Sequence, residues 1–96
     1  MVTAFVMIKT EGRRASEVAQ RILEIEHVAE VYSVTGVHDL IAILHLPSYE
    51  QLAEVVPDRI AVTEGVTETE TTLAFRAFTR RELDSAFDKE PFPDSP

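Results

Sequence analysis

His38 and Asp39 stand side by side in the run Thr35-Gly36-Val37-His38-Asp39, and this pair is the best suited in the chain to handling a proton. A carboxylate beside an imidazole can orient it as a general base. Base catalysis also needs a group to deprotonate or a metal to share, and no serine, cysteine or third ligand stands at a recognisable spacing. The chain has no cysteine, and it lacks a glycine-rich phosphate loop, a nucleophile elbow and a metal-ligand motif. No cofactor and no metal are expected, and the reading is that the chain is not an enzyme. The remaining histidines have ordinary settings: His27 in a helix-to-strand loop, expected in solvent, and His45 near a strand end, expected half-buried and hydrogen-bonded.

Gly36-x-x-Asp39 has a local and a functional reading. Locally, glycine permits positive φ and the aspartate side chain caps a turn. Functionally, a carboxylate and free backbone groups at a sheet end can hold the ammonium and carboxylate of a small zwitterion. The threonines at 67, 69, 71 and 72 are equally two-sided: strand formers at a half-exposed edge, or hydroxyls lining a polar pocket. Spacing alone favours the structural reading in both cases.

The elements that must position these residues follow from apolar periodicity. Residues 2–9 read as a strand with Val2, Ala4, Val6 and Ile8 on one face and Thr3, Phe5 and Met7 on the other. A helix is predicted over about 14–25, with Val18, Ala19 and Ile22 on its apolar side. Strands are predicted over 28–35 and 40–46, joined through Gly36 as a hairpin. Ser48 with Gln51 forms a capping box that should start a second helix. Pro57 should kink it, or break it with a short restart near 58–61. A long strand is predicted over 66–78, then a helix over about 80–88, and a proline-rich tail, 89–96, expected to be disordered.

The order β-α-β-β-α-β gives an α+β, ferredoxin-like fold: a four-stranded antiparallel sheet with both helices on one face. Because the first and third strands are apolar on both faces, one set of large side chains must point away from the helices. Such a patch marks an association site, so a homodimer or a larger assembly is expected.

The 96 residues make one domain, placed at 1–88. Their net charge of −8 repels phosphate backbones and no basic run offsets it, so direct nucleic-acid binding is not expected. The first eight residues are too short to form a signal peptide or a membrane span, and a cysteine-free chain fits a reducing, cytoplasmic setting.

Two signatures taken together, Val28-Ala29-Glu30-Val31-Tyr32-Ser33-Val34-Thr35-Gly36-x-x-Asp39 and Gly65-Val66-x-x-Thr69-x-Thr71-x-x-Ala74-Phe75, resemble the effector-binding (RAM) domain of the Lrp/AsnC regulators over about residues 2–78. That resemblance implies a ferredoxin-like domain that dimerises through its sheets, often builds rings of dimers, and binds a small molecule, commonly an amino acid, between dimers and close to the turn between the second and third strands. It nominates Gly36, His38 and Asp39 in that turn, with Thr69 and Thr71 on the fourth strand. His38 departs from the aromatic residue often found there, and Pro57 from a smooth second helix. A strand beginning at residue 2 suggests a stand-alone version without a helix-turn-helix domain, whose partners would include full-length regulators of this type. Two alternatives share the element order: a small dimeric α+β-barrel enzyme of the monooxygenase type, and an ACT-like amino-acid-binding regulatory domain.

Overall fold

The computed structural model describes residues 1–80. Nine residues that alternate Val2, Ala4, Val6 and Ile8 with Thr3, Phe5, Met7 and Lys9 make β1, Val2–Thr10, followed by α1, Ala15–Leu23, and by β2, Val28–Ser33. Next come β3, Leu40–Leu46, and α2, Tyr49–Val55, continued by a π-helical turn over Val56–Ile60, and finally β4, Val66–Ala74. The strands form one antiparallel sheet in the order β2-β3-β1-β4. This is the expected ferredoxin-like arrangement. All but the first residue of the helix expected over about 80–88, and the tail 89–96, lie outside the described residues.

The period of two decides the core. Ala4, Val6 and Ile8 of β1 and Leu40, Ala42, Leu44 and Leu46 of β3 are fully or almost fully buried. They pack against Val18 and Ile22 of α1, Val55 of α2 and Ile60 of the π-turn. Burying a branched side chain of this size contributes roughly 1.5–3 kcal/mol. The intervening residues, Phe5, Met7, Ile41 and Ile43, face away from the helices and are only half-buried.

Three local expectations are corrected. The capping box at Ser48 does not form: Ser48 makes no side-chain hydrogen bond to the helix, and Gln51 Oε1 is buried without a partner. The α-helix does break before Pro57, ending at Val55, but the next segment is a π-helical turn over Val56–Ile60 instead of a restart near 58–61. The proline's missing N–H is absorbed by widening the turn, so that Ala61 N donates to Val56 O at 2.8 Å, five residues back. β4 stops at Ala74 rather than residue 78, because Ala74 pairs with Thr3 and β1 then offers only one further residue.

Gly65 links the second helical segment to β4 in a conformation that requires glycine. Its φ is +97°, and a Cβ there would sit 2.6 Å from Val18 Cγ2. The adjoining surface is tied by charge. Arg14 reaches Glu17 at 3.1 Å and Glu64 at 3.6 Å, while Arg21 reaches Glu17 at 2.8 Å and Glu64 at 3.0 Å.

Candidate functional site

The connection from β2 to β3 passes over the end of β1 and is pinned there. Asp39 N donates to Ile8 O at 2.9 Å, and Val34 N donates to Asp39 O at 3.0 Å. The Asp39 side chain does not cap its own turn. Its Oδ2 accepts from Thr10 N at 2.8 Å, where the pairing of β1 with β4 shifts register between Lys9 and Thr10. The bulge would leave that amide without a strand partner, and the carboxylate supplies one. Thr10 Oγ1, in the same place, is buried without a hydrogen bond. Gly36 sits at φ +109°, and a Cβ placed on it would meet nothing within 4 Å, so the space beside that residue is open.

His38 points across the sheet end to β4, where its Nε2 lies 3.5 Å from Glu70 Oε2. Glu70 pairs with Met7 and therefore shares the helix-free face with Phe5, Met7, Ile41 and Ile43. Thr69 pairs with Ile8 and Thr71 with Val6, which places both on the opposite, helix-side face. The structure thus brings Gly36, His38 and Asp39 together with Glu70 and Thr10, and it places Thr69 and Thr71 on the other side of the same strand. Sequence reasoning missed Glu70 and Thr10. The Thr-Glu alternation carried the signal for Glu70, but the face it selects depends on register with β1, a contact some sixty residues away in the chain.

The helix-free face has an apolar centre and an acidic margin. Across the strands run Glu30–Ile43–Phe5–Thr72 and Tyr32–Ile41–Met7–Glu70. Tyr32 donates its hydroxyl to Glu30, and this bond followed by the charge of Glu30 raises the phenol's pKa. Lys9 lies 3.6 Å from Glu68 on the same face. His45, expected half-buried, is exposed at the far end of this face, with its Nδ1 3.1 Å from Thr3 Oγ1. His27, expected in solvent, is half-buried at φ +78°, and its carbonyl accepts from His45 N at 3.0 Å.

The interval between sheet and helices is filled by Ile8, Ile22, Leu44 and Ile60, where an α+β-barrel enzyme would need a substrate chamber. No group of three or more metal-ligating side chains occurs among the described residues. No helix of the described residues is long and apolar enough to cross a membrane.

Residues 3–83 match the family model described as the Lrp/AsnC ligand binding domain. The crystal structure of TTHA0845 from Thermus thermophilus is 50% identical, with a TM-score of 0.78 over 83% of this chain and 100% of that one. The HTH-type transcriptional regulator FL11 of Pyrococcus furiosus is 29% identical over 75 residues, 78% of this chain and 49% of its own length. A feast or famine regulatory protein from M. tuberculosis, solved in complex with L-methionine, is 26% identical with a TM-score of 0.71, covering 82% of this chain and 53% of that one. The chain spans about half the length of the curated relatives it matches.

Proposed function

The chain belongs to the Lrp/AsnC ligand-binding domain family, and from that premise we propose that it is an amino-acid-sensing, self-associating module whose ligand sits at the turn between β2 and β3. The observation that carries this reading is the convergence of Asp39, His38 and Glu70 beside an open glycine turn. A free amino acid needs acceptors for its ammonium and donors for its carboxylate. The Asp39 carboxylate has one oxygen committed to Thr10 N and a second to offer, and Glu70 adds another acceptor. Backbone N–H groups around Gly36–His38, and the imidazole of His38, serve the carboxylate. The methionine complex of the M. tuberculosis relative supports this ligand class.

Thr69 and Thr71, on the other side of β4, belong to the same site only where a neighbouring subunit brings its β4 against the turn. The helix-free face supplies the first association surface, since Phe5, Met7, Ile41 and Ile43 have no full cover among the described residues. The output follows from co-assembly with full-length regulators of the family, whose composition would change with ligand. A regulatory role without catalysis agrees with relatives that are transcriptional regulators.

Calorimetric titration of the common amino acids against wild type and Asp39→Asn tests the site. A charge-assisted hydrogen bond is worth roughly 1.5–3 kcal/mol, so the variant should bind about 10- to 100-fold more weakly. Folding should be retained, because the Asn oxygen can still accept from Thr10 N. Equal affinity in both proteins would remove Asp39 from the site. A monomer by sedimentation at micromolar concentration would refute the association.

A further inference from the structure

α1 and α2 cover the same sheet face without packing closely on each other, and a cavity of about 300 Å³ opens between the loop that ends the first and the side of the second. It is lined by Glu26, Gln51, Glu54, Val55, Asp58 and Arg59. All but Glu26 fall at i, i+3, i+4, i+7 and i+8 along α2 and the π-turn, which makes them one helical stripe. The widened turn at Pro57 keeps Asp58 and Arg59 on that stripe, and turns of this kind recur at functional sites.

The lining is charged and unsatisfied. Among the described residues, the side chains of Glu26, Glu54 and Asp58 make no ion pair or hydrogen bond, and neither does the Arg59 guanidinium. Elsewhere in the same fold, Arg14 and Arg21 close on Glu17 and Glu64. A second observation is independent of charge. Gln51 Oε1 is buried, with less than 1 Å² exposed, and accepts no hydrogen bond. A buried acceptor left unpaired is costly. The last torsion of glutamine is soft, so a small rotation presents that oxygen to the cavity that Gln51 lines.

These groups define what satisfies them. Three carboxylates and an amide oxygen call for more charged N–H donors than one ammonium carries, and the guanidinium calls for a carboxylate. The volume lies at the small end of ligand cavities and suits a single small molecule. We propose that this cavity is a binding site of its own for a free amino acid with a basic side chain. Its carboxylate is held by Arg59 and its two cationic groups by Glu26, Glu54 and Asp58, with Gln51 Oε1 accepting one N–H. The site is separate from the turn between β2 and β3. Glu26 precedes β2 and the turn follows it, so the strand's six residues stand between them, about 20 Å at about 3.3 Å each.

Calorimetric titration in the Asp39→Asn background, which impairs the turn, tests the proposal with three probes. L-lysine carries both ammonium groups and the carboxylate. L-norleucine lacks the side-chain ammonium, and 1,5-diaminopentane lacks the carboxylate. L-lysine should bind at least about 10-fold more tightly than either, as the loss of one charge-assisted hydrogen bond requires. Glu54→Gln/Asp58→Asn should weaken L-lysine by about 10- to 100-fold, and Arg59→Gln should weaken L-lysine while leaving the diamine unchanged. These three side chains are on exposed residues, so thermal melts of the variants should match the parent. Gln51→Met should bind L-lysine more weakly yet melt no earlier, because it removes an unpaired acceptor. L-lysine binding no tighter than L-norleucine, or equally well to Glu54→Gln/Asp58→Asn and its parent, overturns the site. A diamine that matches L-lysine overturns the amino acid as its ligand. An earlier melt of Gln51→Met would show the amide serving its own chain, and would overturn its place among the ligand's acceptors.

Discussion

Gly36 and Gly65 both hold a positive φ, yet they place different demands on a side chain. At Gly36 the surroundings are open, so Gly36→Ala should cost only the backbone strain, about 1 kcal/mol. At Gly65 a methyl would add a clash with Val18 to that strain, and Gly65→Ala should lose about 2–4 kcal/mol in urea denaturation. Equal losses at the two sites would mean that Val18 gives way freely. The need for glycine at position 36 is readable from Thr-Gly-x-x-Asp, because a turn is a local event. Gly65 reads from its neighbours only as a lead into a strand, because what crowds it comes from a helix nearly fifty residues earlier. Asp39 teaches the same lesson: its spacing suggests a cap for its own turn, whereas its partner is Thr10, 29 residues away.

Among the elements, those set by short-range periodicity are legible and their ends are not. The two-residue alternation of β1 and β3 places Ala4, Val6, Ile8 and Leu40, Ala42, Leu44 in the core together. The end of β4 depends on where β1 begins, which no window of sequence around residue 74 contains. The start of α2 shows a motif without its bond, since Ser48 and Gln51 have the capping-box spacing and Ser48 caps nothing. Ser48→Ala should therefore shift stability by no more than about 0.5 kcal/mol, against about 1 kcal/mol for a working cap. A loss above that in thermal or chemical melts would show that the cap forms in solution.

For the molecule as a whole, the cluster of Arg14, Glu17, Arg21 and Glu64 clamps α1 to the segment that leads into β4. Hydrogen bonding to Arg14, then its charge, holds the Glu17 carboxyl below its ordinary value of 4.5. Hydrogen bonding to Arg21, then the charges of both arginines, does the same for Glu64. Depressed carboxyl values stabilise the fold above about pH 4.5, and that contribution disappears as pH falls through the lower folded values. Wild type should melt higher than Glu17→Gln/Glu64→Gln near pH 7, and the curves should converge in acid; raised salt should narrow the gap at pH 7. A gap that persists at pH 3 would point to packing instead of charge. The reach of His38 to Glu70 carries a consequence of another kind. Glu70 stands at the margin of the helix-free face, so under the proposed association and ligand site, a ligand that draws His38 away changes the charge a second subunit meets. Occupancy and assembly then share one free energy, and each must alter the other by the same factor. Dilute and concentrated protein would bind the ligand with different strengths, and a dissociation constant read at one subunit concentration would describe that concentration alone.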